Sequence, residues 1–160
     1  MIIRSARSDE AALIKELVYE LAVFEKAPEK AQATLADFAE AFFSPHPAVF
    51  CDFVEDGGGM VQGFAIWFLN YSTWTGTHGI YLEDLYIRPT SRGKGYGKAL
   101  LSHLAALCVE RGYHRLQWWV LDWNAGAIAF YEGLGATLME DWTVMRMEGQ
   151  ALNRLSGNIQ

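Results

Sequence analysis

Apolar positions change period along the chain, and the changes divide it into elements. Between Ser8 and Phe24 the residues Leu13, Ile14, Leu17, Val18, Leu21 and Phe24 recur at the spacing of one helical face, with Ser8 in front as the predicted N-cap. A shorter helix is predicted from Thr34 to Phe43, where Thr34 followed by Asp37 makes a capping-box pattern. The period then shortens. Ala48 to Glu55 and Met60 to Tyr71 read as strands joined through Asp56-Gly57-Gly58-Gly59 as a hairpin. A third strand, Gly79 to Arg88, is stopped by Pro89, and a glycine-rich turn leads into a helix reaching about Arg111, with Gly112 suited to its C-terminal cap. Leu116 to Leu121 predicts another strand, Asn124 caps a helix ending near Gly133 to Gly135, and Thr137 to Met147 predicts a last strand. The order αα-βββ-α-β-α-β implies an α/β fold with a mixed, largely antiparallel sheet flanked by helices.

Composition narrows this picture. The 160 residues predict one domain over 1–160, large enough to fold without disulfide or metal staples. At 51% hydrophobic and 20% charged the chain is globular rather than disordered. The longest apolar run, Phe64 to Leu69, is far short of the roughly 20 residues that span a bilayer, so no membrane is expected. No signal peptide is read at the N-terminus. Cys51 and Cys108 match no metal or disulfide spacing, which predicts buried packing for both and a cytoplasmic setting. The four histidines are scattered, and no metal is predicted.

The net charge of −6 argues against nucleic acid as a partner, but the charge is uneven. No acidic residue lies between Asp84 and Glu110, while Arg88, Arg92, Lys94 and Lys98 do. Within this gap Gly93, Gly95 and Gly97 allow tight turning and close approach of a ligand, and the next helix presents unpaired N–H groups to an anion such as a pyrophosphate. A nucleoside-triphosphate loop is excluded, because Arg92 stands where its first glycine is needed and Ala99 where its hydroxyl is needed. The glycine spacing also departs from the dinucleotide fingerprint. Glycines and lysines alone equally suit a solvated surface turn.

Arg92-Gly93-Lys94-Gly95-Tyr96-Gly97 resembles the Arg/Gln-x-x-Gly-x-Gly/Ala loop of the GCN5-related N-acetyltransferase (GNAT) superfamily. Leu82 to Pro89 is similar to the strand before that loop, and Asn124 to Ala136, with Phe130-Tyr131 and Gly135, is similar to the second signature. Leu21 to Glu25, Gly63 to Trp74, Tyr81 to Asp84, Asp122-Trp123-Asn124 and Trp142 are most similar to the diamine (spermidine/spermine and thialysine) acetyltransferase group.

The resemblance implies acetyl-CoA as donor. Its pantetheine arm would lie along the main chain of Leu85, Tyr86 and Ile87, and its pyrophosphate over the N–H groups of Arg92, Gly93, Lys94, Gly95, Tyr96, Gly97 and Lys98. Asn124 is implied as a further cofactor contact, a role compatible with that of a plain helix N-cap. Tyr131 is implied to protonate the leaving thiolate, Glu83 to act as base or to order water, and Asp84 to contact the acceptor amine. Glu25, Trp74 and Trp142 are implied to line the acceptor groove, and a homodimer is implied for the assembly. Adjacent strand residues face opposite sides, so a regular strand turns only one of Glu83 and Asp84 toward a given cleft. Ser72 replaces the aspartate that polyamine-type members carry before the tryptophan, which favours a short diamine or lysine-like acceptor over a long polyamine. A non-catalytic acyl-CoA-binding module and an acetyltransferase of protein N-termini or lysines remain alternatives.

Overall fold

In the computed structural model, which describes residues 1–157, the chain divides into two compact units, Met1–Trp119 and Val120–Gln160. The first contains β1 (Ile2–Ser5), α1 (Ala11–Phe24), α2 (Leu35–Phe43), β2 (Phe50–Glu55), β3 (Val61–Ser72), β4 (Thr77–Ile87), α3 (Tyr96–Glu110) and β5 (Leu116–Gln117). The strands form one sheet in chain order, antiparallel from β1 to β4 and parallel between β4 and β5. No helix of the described residues is long and apolar enough to cross a membrane.

Most elements follow the apolar pattern. Thr34 caps α2 through the expected reciprocal bonds with Asp37. Gly112, at φ 68°, follows the last turn of α3. Two readings need correction at the N-terminus. Ser8 is not a cap: it opens a 3-10 turn, and Glu10 accepts the Arg7 N–H at 2.8 Å. Strand β1 was not expected, because four residues are too few to display a period. Its Arg4 is held instead by Glu10 and Glu55, each at 2.7 Å.

The sheet is covered on both faces. Ile14 and Leu17 of α1 and Phe38 of α2 pack with Cys51, Phe53, Phe64, Ile66 and Tyr86 in one core. Leu100, Leu101, Leu104 and Cys108 are the buried stripe of α3, on the other face. There the carboxylate of Asp52, almost fully buried, accepts Ser5 Oγ at 2.7 Å and Trp67 Nε1 at 2.8 Å and lies 3.4 Å from His103 Nε2. A buried carboxylate is tolerated only when so bonded, and this one ties two strands and α3 to β2.

Two irregularities in β3 and β4 matter later. Between β2 and β3 the register skips Gln62, and between β3 and β4 it skips Glu83. Each skip is a β-bulge, one extra residue on one strand. Gly63 lies against the first, where a Cβ would collide with the Tyr86 carbonyl oxygen.

The second unit contains α4 (Ala125–Glu132) and α5 (Gly149–Leu155). The strand expected over Thr137 to Met147 is absent, and Leu138, Met139, Trp142, Val144, Met145 and Met147 are exposed. Apolar residues are not enough to form a strand without a neighbour to pair its backbone, and the described residues of this unit contain no other strand. Likewise Leu116 to Leu121 is paired only at Leu116 and Gln117.

Candidate active site

Strand β4 joins two kinds of chemistry. Its pairing to β5 stops after Ile80 and Tyr81, so among the described residues no strand pairs with Leu82 to Ile87 on that side. That edge runs along Leu85, Tyr86 and Ile87, and the peptide groups there that point away from β3 can receive an extended ligand as an added strand, apart from the Ile87 carbonyl, which Arg92 Nε occupies. Beyond Ile87 a 3-10 turn, Pro89–Ser91, leads to the glycine loop. Gly93 and Gly95 have φ of 75° and 85°, and nothing lies within 4 Å of where a Cβ would sit at either. No hydrogen bond among the described residues uses a main-chain N–H from Gly93 to Lys98; the first to be used is that of Ala99, which bonds the Gly95 carbonyl at 3.0 Å. Gly95 offers α3 no side-chain cap. Lys94 and Lys98 have no ion-pair partner among the described residues. A left-handed loop of free N–H groups at the positive end of a helix dipole, flanked by cations, fits a pyrophosphate.

Arg92 differs from the rest of the loop. Its N–H closes the turn on the Pro89 carbonyl at 3.3 Å, so the free N–H groups begin one residue later than expected. Its side chain turns inward as well. Nε donates to the Ile87 carbonyl at 3.0 Å, and Cζ lies 4.3 Å from the centroid of the Phe24 ring.

The loop is anchored by residues that the sequence did not single out. Ser91 and Gln62 are 4% and 8% exposed, and Ser91 Oγ donates to Gln62 Oε1 at 2.6 Å. Gln62 Nε2 donates to Asp56 at 2.8 Å, and the Gln62 carbonyl accepts the Arg88 N–H at 2.9 Å. The bulge at Gln62 is therefore a bracket for the start of the loop. Its only sequence signal is a polar residue inside an otherwise apolar strand.

The bulge at Glu83 decides where the carboxylates go. Strict alternation puts Leu82 and Asp84 on one face. The register instead pairs Leu82 with Trp67 and Asp84 with Ile66, and directly paired residues share a face. Leu82 thus lies with Trp67 on the α3 side, while Asp84 lies with Ile66, Phe64 and Tyr86 on the side of α1 and α2. Glu83, the extra residue, is exposed. Burial first, then the charges of Glu83 and Glu25, push the Asp84 carboxyl up to about 7. Glu25, the C-cap of α1, is itself raised by burial. Sequence residues far apart thus share one electrostatic site. Among the described residues no group of three or more His, Cys, Asp or Glu side chains could hold a metal.

Other predicted residues stand apart. Trp74 is at the tip of the β3–β4 hairpin, 88% exposed, and Glu83 lies six residue steps along the strand from Thr77. At roughly 3.3 Å per residue that is about 20 Å. Ser72 Oγ accepts the Thr75 N–H at 3.3 Å within the same turn. In the second unit, Asn124 caps α4 by accepting the Ala127 N–H at 3.2 Å. Tyr131 packs against Phe130, ring centroids 5.3 Å apart, and burial pushes its phenol up. Trp142 is 67% exposed.

The profile of the Acetyltransferase (GNAT) family matches residues 15–136. The chain belongs to the GNAT acetyltransferase family. Mouse (Mus musculus) thialysine N-epsilon-acetyltransferase is 33% identical over 165 residues, covering 97% of this chain and 96% of that protein. L-ornithine N5-acetyltransferase NATA1 of Arabidopsis thaliana is 41% identical over 96 residues, 60% of this chain and 42% of the relative. Among solved structures, an integron cassette protein from the mobile metagenome of V. cholerae superposes with a TM-score of 0.81 at 28% identity, covering 97% and 96% of the two chains. The α/β fold with its mixed sheet is the fold of this family.

Proposed function

We propose that this acetyltransferase moves an acetyl group from acetyl-CoA directly to the primary amine of a small dibasic acceptor, a lysine-like amino acid or short diamine, within a ternary complex. The observation that supports the reading is that both halves of the proposed site adjoin β4. Its open edge at Leu85 to Ile87 leads to the free N–H groups of Gly93 to Lys98, and its bulge turns Asp84 toward Glu25. Relatives named for thialysine and ornithine support a lysine-like acceptor, and Ser72, in place of a further aspartate, disfavours a long polyamine. Both units are taken to serve one catalytic domain.

When bound, acetyl-CoA supplies an acetyl group activated as a thioester. The chain's own residues do the rest. A lysine-like ammonium has a pKa of about 10.4, so presenting it neutral at pH 7 costs roughly 4–5 kcal/mol. Asp84, pushed up to about 7, is matched to hold that proton at its carboxyl near neutrality. Exposed Glu83 suits ordering the water that relays it. Glu25 attracts the acceptor's second cation, and a partly desolvated contact of this kind is worth more than an exposed ion pair. Tyr131 Oη, kept protonated by burial, is the proposed donor to the departing thiolate. Asn124 is the proposed pantetheine contact in addition to its capping role. Exposed Trp74 and Trp142 are proposed to gain their acceptor-lining roles in a homodimer, in which a second copy covers them. With Cys51 and Cys108 buried and unpaired, a reducing cytoplasm is the proposed setting.

Turnover of acetyl-CoA across thialysine, ornithine, putrescine, spermidine, spermine and N-terminal peptides tests the reading. The expected order places thialysine, ornithine or putrescine first. Spermine with much the highest kcat/KM would overturn the inference from Ser72. No turnover at all, with CoA bound, would leave an acyl-CoA-binding module.

A further inference from the structure

On α1, Glu16, Glu20 and Phe24 form a stripe at i, i+4 and i+8 that meets the carboxyl end of β4. Arg88 donates to Glu16 at 2.7 Å and to Glu20 at 3.0 Å, and also to the Val61 carbonyl at 3.2 Å. Arg92 completes the stripe, its guanidinium 4.3 Å from the Phe24 ring and 5.8 Å from the Tyr86 ring. Its Nε and its main-chain N–H are both engaged by carbonyls of the chain, at 3.0 Å and 3.3 Å. Arg92 therefore begins the donor loop while its side chain grips the last turn of α1. The next residue, Glu25, is one of the charges acting on Asp84.

We infer that Arg92 is a positioning residue that couples the two halves of the site, holding the end of α1, and with it Glu25, in register with the donor loop, rather than acting as a ligand of the pyrophosphate. This rests on the acetyltransferase reading above. The physical basis is a guanidinium stacked on a ring, worth about 0.5–2 kcal/mol, joined to a loop whose shape a bound pyrophosphate fixes. Coupling of binding is reciprocal, so each ligand tightens the other by one common factor.

Calorimetry of CoA with and without saturating putrescine or ornithine, combined with steady-state kinetics, tests the inference. In the wild type the amine is expected to tighten CoA by about 5-fold or more. In Arg92→Gln that factor should fall to near one, with the amine KM raised about 10-fold and the Kd of CoA alone changed less than about 3-fold. Arg92→Lys, which keeps a cation over the rings, should recover part of the coupling. Phe24→Leu, which leaves the loop sequence untouched, should reproduce Arg92→Gln. If Arg92→Gln loses CoA affinity 10-fold or more without amine while the amine KM stays put, Arg92 is a phosphate ligand and the inference is wrong. Intact coupling in Phe24→Leu would overturn it equally. A wild type that acetylates no amine removes the acetyltransferase reading and this inference together, whereas an active wild type with unchanged variants removes the inference alone.

Discussion

From Gly93 to Lys98 the chain offers a ligand its main-chain N–H groups, whereas some ten residues earlier Glu83 and Asp84 offer carboxylates whose direction depends on how β4 is paired to β3. The first region owes its properties to local conformation: two glycines at positive φ and the uncapped start of α3. The second owes them to tertiary structure. The Asp84 carboxyl is pushed up to about 7 because it lies on the side of α1, where burial and then the charges of Glu83 and Glu25 act on it. A main-chain site tolerates side-chain change as long as the backbone keeps its course; a side-chain site is lost with a single atom group.

The largest expected effect tests the step that both regions serve. Tyr131→Phe should bind CoA and amine normally yet lower the single-turnover rate by about 10²- to 10⁴-fold, the range for a lost general acid. A near-normal chemical rate would reduce Tyr131 to a packing residue beside Phe130. Next comes the acceptor side. Asp84→Asn should lower kcat/KM for a dibasic amine by roughly 10- to 100-fold, a loss of about 1.4–2.8 kcal/mol, while leaving the KM for acetyl-CoA nearly unchanged.

The same variant carries a pH signature. The carboxyl of Asp84 is raised from its ordinary 3.8 to about 7, so the folded chain holds this proton more tightly than the unfolded chain does. The resulting destabilisation is absent below about pH 4, grows as the pH rises, and is complete above about 7, at about 4 kcal/mol at most. Asp84→Asn should therefore raise Tm relative to wild type at pH 8 and much less at pH 4, and a pH-independent difference would contradict the burial of the charge.

On the donor side, Gly95→Val places a β-branched residue at φ 85°. It should raise the KM for acetyl-CoA about 10-fold or more with little change in the amine KM. Equal rises in both constants would dissolve the distinction between the two regions. The smallest effect is expected at the bracket. Ser91→Ala orphans Gln62 Oε1, costing about 1–3 kcal/mol of stability and a KM change for acetyl-CoA of only a few fold. Unaltered Tm would show that the buried contact between Ser91 and Gln62 contributes nothing.

Legibility in the sequence follows the same division. The periods of α1, α2 and α3, the capping box at Thr34 and the Asn124 cap are local signals, and the structure carries them. Strand β1 escaped notice because it is short and is fixed by pairing to β2 and by the ion pairs of Arg4. The strand read at Thr137 to Met147 has apolar residues but no strand in its unit, among the described residues, to bond to. The loop glycines were visible because positive φ demands glycine. The Ser91–Gln62 bracket, the inward side chain of Arg92 and the facing of Asp84 were not, since each depends on a partner 5 to 68 residues away or on a register skip.

The skip at Glu83 has a genetic side. Leu82 and Asp84 already oppose neighbouring residues of β3, so removing Glu83 would join two correctly facing half-strands into a regular ladder. The core residues on either side would keep their neighbours. One codon, gained or lost, therefore separates a plain sheet from one that bears an exposed carboxylate and a bend at its centre. A lineage could acquire or discard this extra carboxylate without rebuilding the interior, and a Glu83 deletion should yield a folded protein in which Asp84 keeps its face while the exposed carboxylate beside it is gone.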